Sequence, residues 1–140
     1  MRPKRRTHLG PLYISIRQRN TPLGLAQAIE TPDFNLPNRW IIHCRGPKFY
    51  FDPEPASHLG LCMRNTLILA ERLGVRRLAV PAISMGVYAY PPEQAVPILV
   101  HSARAMAGEL KCLVEIRFVL VSNSLLEIFR SAIDLPDDER

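Results

Sequence analysis

In this 140-residue chain, the residues best placed to do chemistry are Ile83-Ser84-Met85-Gly86-Val87-Tyr88-Ala89-Tyr90-Pro91. They follow a short apolar run, Leu78-Ala79-Val80-Pro81-Ala82, and precede a helical pattern. Gly86, the one glycine of the stretch, lies in mid-turn, where it can take a positive φ and let a ligand approach the main chain. Successive amide N–H groups in such a turn form a concavity for anions. A helix starting just beyond directs its partial positive charge to the same place. The chemistry favoured is the holding of phosphate oxygens, with Tyr88 and Tyr90 as flat walls for a ribose or a base. The same residues also fit a plain strand-to-helix turn whose tyrosines pack the core.

Other constellations are weaker. GxxxxGK[ST] and GxGxxG are both absent, so the best-known phosphate loops have no signature here. Ala82-Ile83-Ser84-Met85-Gly86 comes within one residue of the GxSxG nucleophile elbow. That chemistry needs an acid and then a histidine downstream. Only His101 follows, inside a helical stretch with Glu93 before it, and the chain is short for a serine hydrolase. The histidines do not cluster: His43 falls in a strand pattern, His58 near a helix start and His101 within a helix. Cys44, Cys62 and Cys112 are odd in number, far apart and without a CxxC pair. This argues against a zinc site and against a disulfide framework, and predicts reduced, mostly buried thiols. No metal and no cofactor is expected.

The elements that must position the loop follow from periodicity. Trp40-Ile41-Ile42-His43-Cys44 reads as a strand ended by Gly46-Pro47. Residues 56–73 form a helical pattern, with Leu59, Cys62, Met63, Thr66, Leu69, Ala70 and Leu73 on one face and Gly74 as a left-handed cap. Leu78–Ala82 is apolar on both faces, as in a central parallel strand covered by helices on both sides. Pro91-Pro92 open the next helix. Its inner stripe is Ala95, Ile98, Leu99, Ser102, Met106 and Leu110, and Pro97 predicts a kink or a later start. Val114–Val121 is the last strong strand, and Ser124-Leu125-Leu126-Glu127 reads as a capping box for a helix to about Ile133. Residues 20–38 are rich in turn formers. Leu12–Ile16 is a short strand candidate. The alternation implies an α/β fold with a mostly parallel sheet and right-handed crossovers. Ligands bind such sheets beyond the carboxyl ends of the strands, here the loops 45–55, 83–91 and Ser122-Asn123.

Size and composition fit one domain, residues 12–133, with a real core. No apolar run reaches the roughly 20 residues that span a bilayer, and no apolar signal core opens the chain, so a soluble cytoplasmic protein is expected. The net charge of +5 is uneven: residues 1–29 hold six basic side chains and no acid, while the remainder carries 12 basic and 13 acidic ones. The excess therefore belongs to a basic arm, residues 1–11 with Arg17 and Arg19 beyond. Such an arm is either a solvated tail or a contact for nucleic acid. The Asp-rich tail, residues 134–140, is expected to be loose.

From about Pro22 to Ile133 the chain resembles the latter part of a macrodomain, the ADP-ribose-binding module whose members include Appr-1''-p processing enzymes and O-acetyl-ADP-ribose deacetylases. Trp40–Pro47 resembles the family's strand ending in His-x-x-Gly-Pro. Pro81–Pro91 resembles its second phosphate loop nearly position for position, and Arg117–Val121 its last strand. Pro22, Gly24, Ala28, Thr31 and Leu36-Pro37 fall in the family's order before the His strand.

The resemblance implies a three-layer α/β/α sandwich, shortened at the N-terminus. It implies that Ile83, Ser84, Met85, Gly86, Val87 and Tyr88 hold the diphosphate, with Tyr88 near the distal ribose. Asn123 stands near the place where some members set an aromatic against adenine. The family's adenine-reading acid, Asn-Ala-Ala-Asn segment and glycine-rich first loop are not found in residues 1–39. Met85 stands where Thr or Ser is usual, and Ala89 where Gly or Arg is common. Binding of ADP-ribose or of an ADP-ribosylated protein or nucleic acid is therefore the first expectation. Hydrolysis of ADP-ribose derivatives by a phosphate-positioned water is the second, with its usual acid missing and its catalytic residues unassigned. Nucleic-acid binding through the arm is the third. An uncovered sheet edge further invites pairing with a second copy.

Overall fold

A computed structural model describes residues 23–32 and 35–135. The strand candidate Leu12–Ile16, the basic arm 1–11 and the tail beyond Leu135 lie outside them.

Four strands and three α-helices are found among the described residues: β1 (Ala28–Pro32), β2 (Trp40–Cys44), α1 (Pro55–Arg72), β3 (Arg77–Val80), α2 (Pro92–Met106), β4 (Glu115–Phe118) and α3 (Asn123–Asp134). From β2 onward the order is the predicted alternation. β1 departs from it. The turn-rich stretch hides a five-residue strand that pairs antiparallel with β2, Ile29 opposite His43 and Thr31 opposite Ile41. β3 and β4 pair in parallel, Leu78 opposite Ile116 and Val80 opposite Phe118. The described strands thus form one antiparallel and one parallel pair.

Both pairs close on one core. Leu59, Met63, Leu67 and Ala70 of α1 meet Ala95, Val96, Leu99, Val100 and Met106 of α2, with Phe129 and Ala132 of α3. Ile42 from β2, Leu78 and Val80 from β3 and Ile116 and Phe118 from β4 face the same cluster. The Phe118 and Phe129 rings lie 4.7 Å apart, locking β4 to α3. Burying one such side chain is worth about 1.5–3 kcal/mol. Leu67, Val96 and Val100 are buried outside the predicted stripes. For α2 the reason is position: it packs against both α1 and α3, so a single stripe cannot describe it.

Helix ends follow their local chemistry. Gly74 closes α1 at φ 69°, with Val75 N donating to the Ala70 carbonyl at 3.0 Å. Pro97 lies inside α2, which nevertheless starts at Pro92. The cap of α3 is Ser122, whose hydroxyl accepts from Leu125 N, and not the predicted Ser124 box. α3 runs on through Asp134, and the Arg104 guanidinium donates to the carbonyls of Ala132 and Ile133 in its last turn.

Three further expectations are corrected. β3 was expected to be covered on both faces. Among the described residues only one face is inside: Leu78 and Val80 point inward, while Ala79 and Pro81 are exposed. The outer face beside them carries charge, Arg117 pairing with Glu115 at 2.7 Å. β4 is also shorter than Val114–Val121, because Val114, Val119 and Val121 are exposed at its ends. Of the cysteines only Cys62 is buried; Cys44 is half-buried and Cys112 exposed.

Candidate functional site

The loops after β2 and β3 pack against each other around the candidate turn. β2 delivers Arg45-Gly46-Pro47, and Gly46 lies hard against the following loop. A Cβ on Gly46 would stand 2.2 Å from Ser84 Oγ and 2.7 Å from Ile83 Cγ2. Farther along, Phe49 N donates to the Tyr88 carbonyl at 3.0 Å, and the Lys48 ammonium lies 5.6 Å from the centre of the Tyr88 ring. Phe49 also packs on Tyr90, ring centres 4.9 Å apart. Tyr90 is only 3% exposed, so it is a core residue. Of the two predicted aromatic walls, Tyr88 alone is half-exposed. Gly46 and Lys48 were not among the predicted site residues; the Gly46-Pro47 pair directly after a strand is the sequence signal that marks them.

The turn itself is built differently from the expectation. Gly86 does not take a positive φ. Ser84 (66°) and Ala89 (60°) do, in a region that costs a non-glycine residue about 1–3 kcal/mol. The strain is held by Tyr90 N donating to the Ser84 carbonyl at 2.9 Å and Ala89 N donating to the Gly86 carbonyl at 3.0 Å. Gly86 serves the second role foreseen for it: a Cβ there would meet no atom within 4 Å, so its surface is open.

Bookkeeping of the amides defines what the turn can do. Ile83 N donates to the Pro81 carbonyl at 2.9 Å and Met85 N to the Ala82 carbonyl at 3.3 Å. Among the described residues, the amides of Ser84, Gly86, Val87 and Tyr88 have no acceptor. Three of these are consecutive. Gly86 is exposed and the Val87 side chain is 98% exposed at the tip. α2 contributes less than its position promised, because Pro91 and Pro92 at its start have no N–H to offer.

Asn123 is the first residue of α3 and is exposed. The depression beside it is lined by Leu120, Val121, Ser122, Asn123 and Leu126, and by no residue of the 83–88 turn. The histidines face elsewhere. His43 Nε2 lies 3.0 Å from Thr31 Oγ1, and burial lowers its pKa. His58 Nδ1 lies 2.7 Å from the Pro53 carbonyl. Ser84 Oγ is buried, and none of the described residues is hydrogen-bonded to it as a base. The described residues hold no group of three His, Cys, Asp or Glu arranged for a metal ion, and no helix long and apolar enough to cross a membrane.

A family model described as the Macro domain matches residues 13–99. The chain belongs to the macro domain family. A macro domain-containing protein of Ralstonia nicotianae is 39% identical over 109 residues, which are 77% of this chain and 62% of that protein. The chain therefore spans about three-fifths of that relative's length. The Oceanobacillus iheyensis macrodomain, in a mutant solved with ADPR, superposes with a TM-score of 0.80 at 28% identity, covering 88% of this chain and 68% of the other. This chain adopts part of that macrodomain fold. A Staphylococcus aureus protein named protein-ADP-ribose hydrolase is 28% identical over 122 residues, 85% of this chain and 46% of its own.

Proposed function

We propose that this macro domain binds ADP-ribose, free or attached to a protein or nucleic acid, with its diphosphate on the turn Ile83–Tyr88. The observation that carries the reading is the run of amides at Gly86, Val87 and Tyr88. They have no acceptor among the described residues, and the glycine at their head has open space where a side chain would be. Amides pre-aimed by a strained turn hold an oxyanion without reorganising. Tyr88 and the cationic Lys48 beside it flank the same edge, where a ribose and a phosphate charge would lie. Ile83 and Met85, whose amides are occupied within the turn, serve as its apolar floor. Asn123 is assigned to the adenine end, beyond the amide run. The ADPR-bound relative supports the choice of ligand.

Calorimetry with ADP-ribose, alongside AMP and ribose 5-phosphate, tests the reading. ADP-ribose should bind and raise the melting temperature, whereas the fragments, each with a single phosphate, should bind far more weakly. Absence of stabilisation by millimolar ADP-ribose would refute it. The relative named a protein-ADP-ribose hydrolase motivates a second reading, removal of ADP-ribose from modified protein. Incubation with an ADP-ribosylated protein decides this separately: ADP-ribose released above background makes the chain a hydrolase, and none leaves it a reader.

A further inference from the structure

Large apolar side chains stand in solvent around the 83–88 turn. Tyr50 is 75% exposed, Phe51 86% and Val87 98%. A single exposed apolar residue is ordinary, but several at the rim of a site mark a surface that something covers. The three belong to two loops that are tied together. The Phe49 amide donates to the Tyr88 carbonyl at 3.0 Å, so Tyr50 and Val87 each lie one residue from that bond. The Lys48 ammonium over the Tyr88 ring is a second tie.

The exposure is built into the loop. Phe49 turns inward and packs on Tyr90. The residues after it close on themselves. Phe51 N and Asp52 N both donate to the Lys48 carbonyl, at 3.2 and 2.9 Å. Lys48 N donates to Asp52 Oδ2 at 2.7 Å. Tyr50 stands edge-on to Phe49, ring centres 4.9 Å apart and planes at 84°. A fixed turn thus presents two aromatic rings outward, and a preformed surface loses little freedom when it is covered.

The position of the rim decides what covers it. On the reading of the Ile83–Tyr88 turn as the ADP-ribose site, on which this inference rests, adenine lies toward Asn123 and the second ribose at Tyr88. A carrier is joined to ADP-ribose through that second ribose, so it leaves the site beside residues 48–52. Residues 48–54 hold one base, Lys48, and two acids, Asp52 and Glu54. A nucleic-acid carrier would bring its phosphates to a rim with more acid than base. A polypeptide brings apolar side chains, which two rings and a valine can cover.

We propose that Tyr50, Phe51 and Val87 form a docking rim for the polypeptide that carries the ADP-ribosyl group, with preference for aliphatic side chains beside the modified residue. The turn holds the diphosphate, which every such ligand shares, and the rim reads what is attached to it.

Calorimetry on the full chain tests this with free ADP-ribose and two short peptides ADP-ribosylated through a hydrolysis-resistant linkage. One peptide has leucines flanking the modified residue, and the other has serines there. The leucine peptide should bind about tenfold tighter than free ADP-ribose, and the serine peptide no tighter than it. This comparison needs no variant to fold. The double variant Tyr50→Ser/Phe51→Ser should abolish the leucine gain and leave the affinity for free ADP-ribose within about twofold of wild type. Equal affinity of the leucine peptide and free ADP-ribose overturns the inference and leaves the turn as the site. So does a gain that survives the double variant, or one matched by an ADP-ribosylated oligonucleotide. Failure of free ADP-ribose and of every modified probe to bind overturns the reading of the turn, and the rim with it.

Discussion

Two runs of three main-chain amides lie at different places in this protein, and they differ in what they hold. Before β4, the amides of Lys111, Cys112 and Leu113 converge on the Glu71 carboxylate at 2.7, 2.8 and 3.0 Å. After β3, the amides of Gly86, Val87 and Tyr88 converge on no described residue. The first run shows what such an arrangement does with an oxyanion supplied by the chain: it ties the end of α1 to the segment entering β4. The second has the same donors and no internal anion among the described residues, and it sits in a strained turn close against Gly46. Strain of this kind persists where a surrounding structure enforces it, and such places cluster at ligand sites. The comparison assigns the Glu71 cradle to the scaffold and is the ground for proposing an external anion at the Gly86 turn.

The largest test supplies the second cradle with an anion of its own. Gly86 takes no positive φ and its Cβ position is empty, so Gly86→Glu should leave the melting temperature near that of the wild type. Its carboxylate would compete with the diphosphate and repel it, and ADP-ribose affinity should fall at least about 100-fold by calorimetry. Unchanged affinity in a folded variant places the ligand elsewhere.

Next in size is Gly46→Ala, which disturbs the turn from behind. The added methyl overlaps Ser84 Oγ and Ile83 Cγ2. Overpacking of this order costs about 1–3 kcal/mol, and binding should weaken because the turn must shift. Chemical denaturation and calorimetry on the same variant give both numbers. A variant as stable as the wild type and equally able to bind would show that Gly46 does not set the turn.

What the sequence disclosed divides along the same line. β2, the three helices and the location of the turn were legible because apolar spacing and Gly/Pro punctuation are local signals. β1 was not: Pro22, Gly24 and Pro37 flank it, Pro32 ends it, and only its long-range pairing with Trp40–Cys44 makes it a strand. The turn's positive φ was assigned to the wrong residue: Ser84 and Ala89 are left-handed and Gly86 is not, and no local spacing marks either of them. Tyr90 was read as a ligand wall because an aromatic spacing does not say which ring Phe49 will cover. The Glu71 cradle carries no motif, since an acid on a helix and three ordinary residues 40 positions later look like any solvated surface.

The filled cradle is probed by pH. Glu71 accepts bonds from the amides of Leu113, Cys112 and Lys111, and these hold its carboxyl below the ordinary value. A carboxyl lowered in the folded state contributes stability above its unfolded pKa and loses it as pH falls through the folded one. Glu71→Gln should therefore be less stable than wild type at neutral pH, and the gap should close under acid. Since the Glu71 carboxylate is open to solvent on one side, the difference in melting temperature should be modest, and ADP-ribose affinity should not move. A gap independent of pH would show that the amides hold the side chain through its shape and not its charge.

The smallest effect separates main chain from side chain in the open cradle. Ser84→Gly removes a left-handed non-glycine residue and a buried hydroxyl without a described partner. Against these gains stand the lost packing on Gly46 and the extra freedom of the unfolded chain, so the net stabilisation should be no more than about 1 kcal/mol. If the amides carry the binding, ADP-ribose affinity should change little; a tenfold loss would make the Ser84 hydroxyl a ligand in its own right. Ser84→Gly also removes one of the two atoms that a methyl on Gly46 would strike. The cost of Gly46→Ala should then be smaller in the Ser84→Gly background than in the wild type. Strict additivity of the pair would mean that the turn and the Gly46 bend are held independently, and that the strain at Ser84 is not imposed from behind.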